Sequence, residues 1–166
     1  MAIEIENERA VNTKSYQEAL DLAEANKHQE ALECIQKHLA VSPNDPEILN
    51  DTGAILYCLN RSDEAIEHFL KAKELQPDSA EIIWNLSETY LATENAHEAM
   101  KLFDDMERIG ILNCEVLNRT AEKLIDNGNL SEASTVLNKS LQLLPNQPLL
   151  DPILEVLRSK IAKNKI

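Results

Sequence analysis

The sequence predicts an all-α chain, a solenoid of stacked helix-turn-helix repeats, and three observations carry that prediction. The dipeptide Glu-Ala recurs at Glu30-Ala31, Glu64-Ala65, Glu98-Ala99 and Glu132-Ala133, each copy following the last at the same interval. A fixed period of roughly 20 to 50 residues marks a supersecondary unit that has been copied and stacked. Small and bulky residues then fall into columns in the same register. Ala19, Gly53, Ser87 and Ala121 are small; Leu22, Leu56, Tyr90 and Leu124, three residues on, are bulky; Ala31, Ala65, Ala99 and Ala133 are small again, and Ile35, Phe69, Phe103 and Leu137 follow them. Finally, Pro43, Pro77 and Pro145 close three of the four repeats.

A small residue opposite a large one is what closely crossing helices require, because the missing side chain makes the hole that the partner's knob fills. Spacings such as Ala65, Phe69 and Ala72 put residues on one helical face, whereas a strand would need period two. Taken in order, the chain divides into a leader (1–11), repeat one (12–45), repeat two (46–79), repeat three (80–113), repeat four (114–147) and a capping helix (148–166) within a single domain. First helices are expected near 12–25, 46–59, 80–93 and 114–127, with a second helix after each. Glu30, Glu64, Glu98 and Glu132 fall in the first turn of the second helices, where a carboxylate complements the helix dipole. In the last segment Asp151-Pro152 is a helix start, and Leu150, Ile153, Leu154, Leu157 and Ile161 form one apolar stripe against a polar far face of Glu155, Arg158 and Lys163. A helix apolar on one side only is expected to end the stack. The N-terminal end has only Ile3, Ile5 and Val11 to cover it and is the expected surface for self-association into a homo-oligomer.

The columns closely resemble the tetratricopeptide repeat, whose pattern of about 34 residues runs through a small residue, an aromatic or leucine, an alanine, a second aromatic and a closing proline. Repeat two displays it as Gly53, Leu56, Ala65, Phe69, Ala72 and Pro77; repeat three as Trp84, Leu86, Tyr90, Ala99 and Phe103. Departures are His38 and Ser140 in the column of Ala72, and Gly110-Ile111 in place of a closing proline in repeat three. The resemblance implies a right-handed α-solenoid whose first helices line a concave groove for an extended or helical peptide.

Composition narrows the chemistry. A net charge of -13 disfavours nucleic acid, since phosphate binding draws on clusters of Lys and Arg. The acidic N-terminus and the lack of any apolar run of about 18 residues argue against a signal peptide or membrane insertion, which leaves a cytoplasmic setting. Cys34, Cys58 and Cys114 are odd in number and in no metal-like spacing, and read as buried or half-buried free thiols. His28, His38, His68 and His97 lie in different repeats and form no zinc-binding pair, and no Gly-rich phosphate loop exists. No cofactor or metal is expected, and the chain does not read as an enzyme. His38 is expected to fill a packing slot, since its column elsewhere holds Ala72, Met106 and Ser140.

The informative surface is the wall of first helices. The face turned from the packing column presents Tyr16, Gln17 and Leu20; Asn50, Asp51, Ala54 and Tyr57; Trp84, Asn85, Glu88 and Leu91; and Asn118, Arg119 and Glu122. Asparagine offers donors and an acceptor to a peptide backbone without regard to its sequence, and Trp84 and Tyr57 are large rigid anchors of the kind that dominate binding energy. The candidate groove is therefore Tyr16, Asn50, Asp51, Tyr57, Trp84, Asn85, Glu88, Asn118, Arg119 and Glu122. Its acidic members call for a protein or peptide partner of basic character.

One repeat subclass clamps the C-terminal carboxylate of heat-shock chaperones. In that frame repeats two to four offer Asn85 and Arg119, but Asn50 and Ala54 stand where lysine and asparagine are wanted and Glu115 replaces another lysine. Repeats one to three, with Tyr16, Leu20, Asp51 and Glu81 at those places, fit worse. An anionic terminus would meet Asp51, Glu88 and Glu115, so a chaperone tail is disfavoured. The sequence reading thus favours a peptide-binding adaptor, with a self-assembling scaffold or the recruiting module of a larger enzyme, such as a bacterial glycosyltransferase, as alternatives.

Overall fold

The computed structural model describes residues 15–163, which are all-α, with no strand among them. In the first compact unit, which runs to Thr89, α1 (residues 15–24) precedes α2 (His28–Val41), α3 (Pro46–Cys58) and α4 (Ser62–Leu75), and α5 (Ala80–Ala92) begins. The second unit, from Tyr90, contains α6 (Ala96–Met100), α7 (Phe103–Arg108), α8 (Cys114–Asp126), α9 (Leu130–Leu143) and α10 (Leu150–Lys163). The starts of α2, α4, α6 and α9 recur at the interval of the Glu-Ala dipeptide, as do those of α3, α5 and α8. The leader with Ile3, Ile5 and Val11, the first residues of repeat one, and Lys165 lie outside the described residues.

The columns are the core. Ala31, Ala65, Ala99 and Ala133 are fully buried, and Ala19, Ser87 and Ala121 likewise. Within the first unit α3 packs on α4 and α2 on α3; within the second α8 packs on α9 and α9 on α10. Close approach of these helices explains why alanine recurs where a larger residue would add buried area: the neighbouring helix already fills the space.

One backbone device joins the helices of every pair. Asn26, Asn60, Glu94 and Gly128, each one repeat on from the last, all adopt a left-handed conformation with φ of 59°, 59°, 61° and 78°. The next amide then reaches back to the carbonyl of the bulky column: Lys27 to Leu22, Arg61 to Leu56, Asn95 to Tyr90 and Asn129 to Leu124, at 2.9, 2.9, 2.8 and 2.7 Å. This six-to-one bond satisfies a carbonyl that the helix end would otherwise leave open.

Three expectations are corrected. The second helix of repeat three is interrupted at Lys101-Leu102, where the Leu102 amide bonds the Ala99 carbonyl three residues back at 3.1 Å. Leu102 occupies the column of half-buried His68 yet is buried, so the turn brings an apolar side chain inward. Cys58 is exposed, while Cys34 and Cys114 are half-buried; all three are free thiols. Finally, α10 buries Leu150, Leu154 and Leu157, but Ile153 is 39% exposed and Val156 53%. A helix turns about 100° per residue, so Ile153 is rotated away from the row that meets α9.

Candidate functional site

In the first unit the wall is built by α1, α3 and the start of α5. Asp45 caps α3, its carboxylate accepting from the Glu47 and Ile48 amides at 3.0 and 3.3 Å, and Pro46 supplies a preset first turn. This sharp start places Asn50 and Asp51 one turn in. The Tyr16 hydroxyl donates to Asp51 Oδ2, linking α1 to α3. Asn50 Nδ2 donates to Glu81 Oε1 at 3.0 Å, and Asn85 Nδ2 donates to Asn50 Oδ1 at 3.0 Å, linking α3 to α5. Polar bonds thus run across three first helices.

Beside this network lies an open pocket of about 260 Å³ whose polar lining is Tyr16, Glu47, Asn50, Asp51, Gln76, Ser79 and Glu81. Among the described residues three carboxylates line it and no basic side chain does. Burial pushes the Asp51 carboxyl above the ordinary range; the Tyr16 hydrogen bond opposes this, and the nearby Glu81 and Glu47 charges add to it. Burial, followed by the hydrogen bond and charge of Asp51, pushes the Tyr16 phenol well above its ordinary range. Tyr16 therefore stays a neutral donor at physiological pH. The charged residues that line the pocket, among those described, are thus all acidic.

His38 is 3% exposed and fills a packing slot, with a further role. Its ring meets Tyr16 edge-on, with centroids 5.8 Å apart, and its Nε2 lies 2.9 Å from Ser15 Oγ. It thereby fixes the ring that reaches Asp51.

The remaining sequence candidates divide by unit. Tyr57 is 38% exposed; Trp84, Asn85 and Glu88 are half-buried. Asn50, only 4% exposed and bonded at both ends of its amide, braces the wall from inside. In the second unit Asn118 Nδ2 donates to Gln147 Oε1 at 2.9 Å, and Gln147 Nε2 donates to the Ser140 carbonyl and hydroxyl. Asn118 Oδ1 is buried without a protein partner, Arg119 is half-buried and Glu122 exposed. Leu91, expected on the wall, is 1% exposed because the last turn of α5 gives it, with Tyr90, to the core.

The structure thus joins Tyr16, Asp51, Asn50 and Asn85 directly and adds Glu47, Glu81 and His38. Glu47 and Glu81 stand four residues before Asp51 and Asn85, one helical turn, and that spacing was the available signal. Among the described residues no group of three or more His, Cys, Asp or Glu is placed to hold a metal, and no helix is long and apolar enough to cross a membrane.

Residues 16–80 match the family model of the tetratricopeptide repeat. The chain is 28% identical over 123 residues to human (Homo sapiens) anaphase-promoting complex subunit 7, covering 74% of this chain and 22% of that protein. It is 39% identical over 56 residues to the peroxisomal targeting signal receptor of Candida glabrata, covering 34% of this chain and 10% of that one. The chain therefore spans about a fifth or less of the length of the curated relatives it matches. In fold it is similar to MamA (41-end) from Desulfovibrio magneticus RS-1, with a TM-score of 0.70 at 17% identity over 93% of this chain and 88% of that one.

Proposed function

From the premise that this chain belongs to the tetratricopeptide-repeat family, we propose that it is a non-catalytic adaptor holding a basic peptide segment of a partner protein against the first-helix wall. The observation that carries this reading is the pocket at Asp51. Glu47, Asp51 and Glu81 converge there, and burial has already raised the Asp51 carboxyl. A Lys or Arg side chain entering it would be attracted by these carboxylates and would relieve the repulsion among them. Trp84 and Tyr57 supply accessible aromatic surface in the same unit, and Asn85 an amide edge for peptide backbone. A relative named as a receptor for a targeting signal agrees with recognition of a peptide. Asn118, Arg119 and Glu122 are the corresponding candidates of the second unit.

The second reading is the recruiting module of a longer protein, favoured by the small share of its relatives that the chain spans. In either reading the partner is a protein rather than a nucleic acid, and the cytoplasmic setting belongs to the proposal. The test is affinity capture with the intact chain beside a Glu47→Gln/Glu81→Gln variant, which keeps the shape of the pocket and removes charge. A partner retained by the first, released by salt and lost with the second supports the reading. Equal capture by both proteins refutes it.

A further inference from the structure

The hydrogen bonds already made at the Asp51 pocket narrow the cation that fits it. Tyr16 commits its hydroxyl to Asp51 Oδ2. Asn50 commits its Nδ2 to Glu81 Oε1 at 3.0 Å, while its Oδ1 accepts from Asn85 Nδ2 at 3.0 Å. An ionised carboxylate accepts at about four sites, so these donors leave most of the capacity of Asp51 and Glu81 open. Glu47, one helical turn before Asp51, is exposed and lines the same pocket, which adds a third carboxylate. Gln76 and Ser79 complete the polar lining without charge. The acidic groups stand on two helices, Glu47 and Asp51 on α3 and Glu81 on α5. The Tyr16 and Asn50 bonds hold two of the three in place before any partner arrives.

An ammonium presents three donors on a compact, strongly hydrated point charge, whereas a guanidinium presents five in a rigid plane that forks onto one carboxylate and still reaches a second. Carboxylates held on two helices suit the fork. The guanidinium is also the more weakly hydrated of the two, so it gives up less on leaving water for a half-buried carboxylate such as Asp51. Resting on the reading of this pocket as the site of a basic peptide, we propose that the residue it takes is an arginine in preference to a lysine, the guanidinium shared between Asp51 on α3 and Glu81 on α5. Glu47 stands beside the pair as a third acceptor. The asparagines act through the carboxylates: Asn50, only 4% exposed, orients Glu81, and Asn85 in turn orients Asn50.

Nuclear magnetic resonance titration of the isotope-labelled 166-residue chain at low salt tests the proposal. The probes are the Nα-acetyl amides of arginine, of lysine and of citrulline, which keeps the planar head of arginine without its charge. The arginine probe should shift the side-chain amide signals of Asn50 and Asn85 and bind about fivefold tighter than the lysine probe, the value of an added charge-assisted hydrogen bond. The citrulline probe should leave both signals in place. In Glu47→Gln/Glu81→Gln, which keeps the shape of the pocket, arginine should fall to the level of lysine. Asp51→Asn keeps an acceptor for Tyr16 and should do the same. Equal binding of arginine and lysine at these signals overturns the arginine preference and leaves the basic-peptide reading standing. Failure of both probes to move them overturns the two together. A preference for arginine that persists in both variants, or binding of citrulline as tight as that of arginine, also overturns the proposal.

Discussion

Gly53 is the hole that Phe69 fills: a Cβ built on Gly53 would lie 2.7 Å from Phe69 Cε1 and 2.9 Å from Cδ1, closer than side chains approach in folded proteins. The small column of α3 and the bulky column of α4 are thus one contact seen from two helices. Gly53→Ala should destabilise, although alanine is by about 1 kcal/mol the better helix former. Overpacking of a close contact costs roughly 1 to 3 kcal/mol, and the ring is buried with little room to move. Urea midpoints for Gly53→Ala, Phe69→Leu and the double variant check this. The double variant should recover part of the loss, and strictly additive effects would show that the two residues do not share the contact.

Ala65 and Glu64, adjacent in α4, should respond very unequally to substitution. Ala65 is fully buried, so Ala65→Leu should lower stability by roughly 1 to 3 kcal/mol. Glu64 lies on the exposed side, paired to Arg61 at 2.6 Å, and Glu64→Ala should leave the denaturation midpoint almost unmoved. Comparable midpoints would dissolve the assignment of the alanine column to packing.

The packing columns were legible because each recurs once per repeat with the same side-chain size, and size is what the contact selects. The turn column was harder to read. Asn26, Asn60, Glu94 and Gly128 share a positive φ and no side-chain chemistry. The break at Lys101-Leu102 was also hidden, since Ala99 and Phe103 hold their usual columns on either side of it. In the candidate site, Asp51 and Asn85 were visible as polar residues on the outward face. Their partners Tyr16 and Asn50 are 35 residues away, so each bond joins two different columns, and alignment within columns cannot show it. The outer apolar row of α10 was merged with the inner one because Ile153 and Leu154 adjoin in sequence while facing different sides.

Glu94 is the residue in the turn column least suited to it. A left-handed conformation costs an ordinary L-residue about 1 to 2 kcal/mol, and glycine or asparagine much less. Its carboxylate is largely exposed and lies 3.9 Å from the Nζ of half-buried Lys123, a long contact that offsets little. Glu94→Asn should therefore raise stability by about 0.5 to 1 kcal/mol, read as a higher thermal midpoint. An unchanged or lower midpoint would mean that the Lys123 contact outweighs the backbone cost.

Asp51 should give a pH signature. Its native pKa lies above that of an ordinary aspartate. Between the two values the native state holds a proton that the unfolded chain has lost, so stability falls as pH rises through that window. Asp51→Asn keeps an acceptor for the Tyr16 hydroxyl and removes the charge. It should melt higher than wild type at neutral pH, and the advantage should shrink as pH falls toward the ordinary aspartate value. The same variant should bind a basic peptide more weakly, because the charge that costs stability is the one proposed to recognise the partner. A constant gap in melting temperature from neutral to acidic pH would remove Asp51 from this account.

Trp84 tests the aromatic part of the wall. It is half-buried, so part of its ring is available to a partner while part already rests on the protein. Trp84→Ala should cost about 2 kcal/mol or more in binding if the tryptophan is a hot spot. The corresponding loss of stability should fall below the roughly 3 to 5 kcal/mol typical of a fully buried tryptophan. Calorimetric titration and thermal melting on the one variant separate the two effects, and a salt series adds a third readout. Salt should weaken wild type and Trp84→Ala by the same factor, because screening acts on the carboxylates at Asp51 and not on the ring. Unchanged affinity in Trp84→Ala, or a salt-insensitive partner of acidic character, would place recognition on a different face of the helices.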